Sequence, residues 1–192
     1  DTYEEMLRHK SDGRLPGVKL IFVNVEVRLD AAARSGFVNL HLLVCPEDTD
    51  HLEQVRRFLS RLQFEAYGDT FECTSTGLTL LGKKANASIT EDRAALAYGA
   101  TQFKVNFAQL KETYKKSDWA KANILIAVAG ASGDGTSGLS QAADATLRQE
   151  IEKFAHIIFS SHKAQREFWL GQRSDDGERL RERYEGCKPC LH

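Results

Sequence analysis

Two residues able to bind a metal stand inside apolar runs. Glu26 interrupts LIFVNVEVRL, and His41 interrupts FVNLHLLVC. A carboxylate in a buried strand must be paired, hydrogen-bonded or metal-bound, because burying a bare charge is strongly unfavourable. Arg28 follows Glu26 by two residues, on the same side of a strand, and offers an ion pair; a metal offers the alternative. A histidine in a buried strand is ordinarily a hydrogen-bonded core residue. It gains interest here because adjacent strands can bring it to the same rim as Glu26. Imidazole with carboxylate is a donor set suited to Zn, Mn or Fe.

A third feature is the loop Gly130-Ala131-Ser132-Gly133-Asp134-Gly135-Thr136-Ser137-Gly138. Gly130, Gly133 and Gly135 let backbone N–H groups come close to an anion, and the helix that follows adds partial positive charge. Ser132, Thr136 and Ser137 add hydroxyl donors. The loop lacks the Gly-Lys-Ser/Thr ending of a P-loop and matches the dinucleotide spacing poorly. It reads equally well as a glycine-rich turn in which Asp134 or Thr136 caps the helix. Cys187 and Cys190 have CxxC spacing, but a lone pair is a poor zinc signature and reads as two ordinary buried thiols. In QREFWLG, Phe168 and Trp169 dock a helix on the core, while Arg166 is a surface arginine within reach of a phosphate.

The elements that must position these residues follow from periodicity. Lys19–Leu29 and Phe37–Cys45 read as strands, the second ended by Pro46. Asp48–Leu62 reads as a helix with Leu52, Val55, Leu59 and Leu62 on one face; Asp50 and Glu53 have capping-box spacing. Residues 63–89 give weak signals, with a strand near Phe71–Cys73 and a helix near Leu78–Leu81. Thr90–Tyr98 reads as a helix with Ser88 and Glu91 as its capping box. Phe103–Val105 is extended, and Asn106 caps a helix through Tyr114. Asn123–Ala129 is apolar on both faces, as a doubly covered strand is. A helix over Leu139–Ala155, a strand over His156–Ser160 and a helix over Ala164–Leu170 follow. Gln172–Glu185 reads as a solvated helix or insert. Strands alternating with helices predict an α/β fold with parallel strands, either open or closed into a barrel. Ligands then collect at the carboxyl ends of the strands.

The chain has 192 residues, enough for one domain with a substantial core. Its 26 Lys and Arg nearly cancel its 27 Asp and Glu, so no net field favours nucleic acid or an anionic membrane. Four cysteines with no secretory signal before them fit the reduced thiols of a cytoplasmic protein. No apolar run approaches the roughly 20 residues needed to span a bilayer. A start at Asp1 and a stop at His192 are read as the bounds of an internal piece of a longer polypeptide.

The segments FVNVEVRL, FVNLHLLV, GATQFKVNF, ILIAVAGASGDGTSG, QEIEKFAHIIFSS, QREFWLG and CKPCLH run in order along nearly the whole chain. Together they resemble the N-terminal part of the TrlF-type AAA-like ATPases, which is similar to a polymerase-and-histidinol-phosphatase (PHP) domain. That resemblance implies a distorted (β/α)7 barrel, incomplete at both ends here, that binds divalent metal ions (Mn, Zn or Fe) and hydrolyses phosphoesters. It implies that Glu26 and His41 are metal ligands. A His-x-His opening would precede Asp1, and a Gly-Ser-Asp-Ala-His-type motif would follow His192. The family's Ala-His-Pro is replaced by Val128-Ala129-Gly130, so one histidine ligand is lost, and Asp134 is the nearest catalytic or metal-binding substitute. The partners implied are a phosphoester substrate, which includes nucleic acid, and a C-terminal ATPase module of the same polypeptide, with no membrane. The alternative is a degenerate, non-catalytic module that binds nucleotide or nucleic acid and regulates the ATPase. A third reading is a scaffold whose loop merely caps a helix.

Overall fold

The computed structural model describes residues 2–30, 37–47, 49–129, 142–172 and 176–191. Its centre is a six-stranded sheet. Strand β1 (Val23–Asp30) pairs antiparallel with β2 (Phe37–Val44), and β2 pairs antiparallel with β6 (Ile124–Ala129). Beyond β6 lie β7 (Ile157–Phe159) and β8 (Cys190–Leu191), both parallel to it. On the other side, β5 (Val105–Asn106) runs parallel to β1 and pairs with it at Leu29 and Asp30. The order is β5-β1-β2-β6-β7-β8, a mixed α/β sheet. The expectation of parallel strands therefore fails at β2. Only residues 31–36 separate β1 from β2, and a parallel crossover needs about a dozen or more.

The apolar alternation of β1 and β2 is what buries one sheet face. Val27, Leu29, Leu40, Leu42 and Val44 are buried on that face, and Ile124, Ile126 and Val128 of β6 join them. Helix α2 (Thr49–Leu59) brings Val55 and Phe58 to this core, and Leu62 follows it. Helices α3 (Ser75–Ala85) and α5 (Phe107–Lys115) add Leu81, Leu110 and Tyr114. Asn106 caps α5 as its type predicts, its Oδ1 accepting from the N–H groups of Ala108 and Gln109. Helix α7 (Ala142–Phe154) adds Ile151, and Phe154 packs edge-on against Phe107 and Tyr114.

Other expectations shift in detail. The strand predicted near Phe71 is β4 (Asp69–Glu72), half of a hairpin with β3 (Gln63–Ala66). Tyr67 and Gly68 join them with φ of 54° and 80°, the doubly positive turn that matches strand twist. Helix α4 (Asp92–Gln102) starts after Glu91, which makes no side-chain cap bond, and the Ser88 hydroxyl instead donates to Asn86 Oδ1 at 2.6 Å. The proposed Ser88–Glu91 capping box is therefore absent. α2 starts at Thr49, which places Asp50 inside its first turn. Helix α9 (Asp176–Tyr184) lies in the stretch read as solvated, yet Leu180 is wholly buried. Tyr184 meets the Trp169 ring at 4.7 Å, and Trp169 closes helix α8 (Lys163–Trp169). Helices α1 (Thr2–Ser11) and α6 (Asp118–Asn123) complete the described elements. Among the described residues, no helix is long and apolar enough to cross a membrane.

Candidate metal and phosphate site

Glu26 and His41 are directly opposite each other in the β1–β2 ladder. Direct cross-strand partners carry their side chains on one face, with Cβ atoms roughly 5 Å apart. Alternation puts Asn24 and Arg28 on that face as well, along with Asn39. It is the face opposite the core, and Glu26 is exposed there. The premise that Glu26 is a buried carboxylate in need of compensation is thus corrected: the apolar residues around it face the other way. Arg28 sends Nη1 to the carbonyl of Thr101 at 2.6 Å.

The His41 ring is half-buried, its edge against Phe159 of β7 with centroids 5.3 Å apart. Nδ1 lies 3.2 Å from Asn24 Oδ1. With that carbonyl oxygen as acceptor, Nδ1 carries the proton and Nε2 keeps a free lone pair, the form that binds a metal. Burial lowers the His41 pKa below its ordinary 6.5, and the Glu26 carboxylate partly opposes this. The ring is therefore neutral at neutral pH. A carboxylate and a neutral imidazole held side by side fit a borderline divalent ion. Among the described residues, no cluster of three His, Cys, Asp or Glu completes a metal shell.

A cavity of about 860 Å³ is lined in part by Glu26, though not by His41. Its walls come from β1, α2, the start of α3 and the end of α4, with Leu59, Leu62, Leu78 and Phe103 giving apolar surface. Arg28, Arg56 and Arg57 supply cations. Cys73 also lines it, but burial pushes its thiol up to about 11, so it stays protonated and is no nucleophile at neutral pH.

The glycine-rich loop, with Gly130, Ser132, Gly133, Asp134, Gly135, Thr136 and Ser137, lies outside the described residues. Its approach is defined. The carbonyl of Ala129, the last residue of β6, accepts from Arg148 Nη2 of α7. Arg148 Nε in turn donates to Glu152 Oε1 at 2.9 Å, both side chains being nearly fully buried. Cys187 and Cys190 are free thiols, Cys187 exposed and Cys190 half-buried in β8, which corrects the reading of two buried cysteines. Arg166 sends Nη1 to the carbonyl of Ser161 at 2.6 Å, its guanidinium turned to its own helix entry. Sequence reasoning missed Asn24 and the Arg148–Glu152 pair. The first was legible as a polar residue two before Glu26 on one strand face, the second as an i, i+4 pair on an otherwise inward-facing helix stripe. No family model, curated protein or solved structure matches the chain.

Proposed function

We propose that this chain belongs to a divalent-metal-dependent phosphoesterase of the PHP type, its sheet forming part of a distorted (β/α)7 barrel joined to an ATPase module. One observation carries the reading: Glu26 and His41, placed fifteen residues apart in sequence, stand directly opposite on the open sheet face. Glu26 and His41 would hold the ion, with Asn24 fixing the imidazole tautomer. A divalent ion bound there supplies Lewis-acid and water-activating chemistry. Arg28 places positive charge on the same sheet face, where a phosphoester's anionic oxygens need it. Asp134 and the 130s loop, by the family resemblance, supply a further ligand and phosphate contacts.

The test is Mn²⁺ binding and Mn²⁺-stimulated hydrolysis of bis-p-nitrophenyl phosphate by the full-length polypeptide. Glu26→Gln and His41→Ala each lower Mn²⁺ affinity on the order of tenfold or more and remove hydrolysis. Unchanged turnover in both variants overturns the assignment. A second reading, a non-catalytic binding module, draws on Val128-Ala129-Gly130 at the place of the family's histidine and on the missing third donor among the described residues. It predicts no hydrolysis by the wild-type polypeptide with Mn²⁺, Zn²⁺ or Fe²⁺.

A further inference from the structure

The cavity beside Glu26 has an unusual wall. Val25, Glu26, Val27 and Arg28 all line it, although successive strand residues point to opposite faces. Four consecutive residues can share one cavity only at the edge of the strand. Among the described residues β5 pairs with that edge at Leu29 and Asp30, so the strand edge before them borders the cavity. The space therefore offers three kinds of contact. Apolar side chains of α2, α3 and the Phe103 segment form a floor. The strand edge presents hydrogen-bonding groups, and guanidinium groups stand at the wall.

The arginines distinguish this space from a plain apolar cleft. Arg56 and Arg57 project from α2, both exposed, and among the described residues neither has an ion-pair partner. Two guanidinium groups with no ion-pair partner among the described residues, beside an apolar floor, suit a ligand with an anionic end and a flat or apolar body. Glu26 and Glu53 are the acidic residues on the lining, and Glu26 is the proposed metal ligand. The volume lies within the range of about 300–1,000 Å³ that encloses small molecules.

We propose that this cavity binds a mononucleotide-like phosphoester, with its phosphate against Arg56 and Arg57 and its base on the apolar floor beside β1. The inference goes beyond the phosphoesterase reading, since the arginines stand on the α2 side of the cavity and binding itself requires no metal. AMP is titrated calorimetrically into the full-length polypeptide in EDTA, beside adenosine and inorganic phosphate. AMP binds, and each half-ligand binds on the order of tenfold or more weaker. The exposed double variant Arg56→Ala/Arg57→Ala, its fold checked by circular dichroism, weakens AMP on the order of tenfold or more and leaves adenosine unchanged. No AMP binding, or equal AMP affinity in the double variant, overturns the proposal. Because EDTA removes metal, loss of the Mn²⁺ effects of Glu26 and His41 with AMP binding retained overturns only the phosphoesterase reading. The reverse pattern overturns only the nucleotide site.

Discussion

At His41 two opposing influences set the proton affinity, burial of the ring lowering it and the Glu26 carboxylate raising it, with burial the larger. Replacing Glu26 by Gln removes the raising influence, so the His41 pKa falls further below 6.5. A proton NMR titration of the ring checks this, and an upward shift in Glu26→Gln contradicts the pairing. His156 is lowered too, chiefly by burial and further by the Lys188 charge. Its Nδ1 accepts from the Ile126 N–H at 3.0 Å, and protonation destroys that acceptor. For both histidines the unfolded chain binds protons more readily than the folded one. Their stabilising effect is therefore fully present above the unfolded value near 6.5 and is lost as pH falls through the folded values. Thermal midpoints recorded downward from pH 7 should fall, and a flat profile contradicts this. Glu26 and His41 were legible as candidates because each interrupts an apolar run, but the antiparallel register that sets them opposite was not, since the element order predicts parallel strands. Asn24 was not, since a polar strand residue announces no partner.

Between α3 and α4 the backbones come so close that only glycine fits. A Cβ on Gly82 would lie 1.9 Å from the Ala95 carbonyl oxygen, and one on Gly99 would lie 1.8 Å from that of Leu78. Neither obstacle is a flexible side chain, so the helices themselves must separate. Alanine gains about 1 kcal/mol in helix propensity, but overpacking of this kind costs about 1–3 kcal/mol or more. Gly82→Ala and Gly99→Ala should each lower the urea midpoint, with a net loss of about 2 kcal/mol, because contacts with rigid backbone lie at the costly end of that range. They should also disturb the cavity wall formed by Leu78, Ala100 and Thr101. A midpoint at or above wild type contradicts the close packing. Sequence signals were clear for β2, α2, α5 and β6, where apolar spacing runs over five or more residues. They were weak for β3 and β4, four residues each, because the turn between them sets a tyrosine, Tyr67, at positive φ where Asn or Gly is usual. The α3–α4 contact left only scattered glycines, which read as helix weakeners until a partner helix explains them.

Across the molecule, polar contacts centred on a buried ion pair tie separate parts of the chain to the strand that leads into the glycine-rich loop. Arg148 and Glu152 pair one turn apart on α7, and Arg148 also holds the Ala129 carbonyl at the end of β6. Tyr184 of α9 donates to Glu152 Oε2 at 3.3 Å, and Lys188 donates to the Ala155 carbonyl at 2.7 Å. The α/β class was legible from alternating elements. This network was not, because charged residues on a helix read as solvent-facing unless their partners are known. A buried pair stabilises little over an apolar replacement, yet breaking it strands a charge and costs about 3–5 kcal/mol. Arg148→Met should therefore lose about that much in urea unfolding, since the buried Glu152 loses its Arg148 partner. The double variant Arg148→Met/Glu152→Met removes both charges and should lose less than Arg148→Met alone. It keeps a deficit of about 1–3 kcal/mol, because the Ala129 carbonyl and the Tyr184 hydroxyl lose their partners. A double-mutant cycle reads the coupling directly. Additive costs would mean that α7 is held against β6 by its apolar stripe alone, and that the entry to the 130s loop is set by Ile151 and its neighbours rather than by the ion pair.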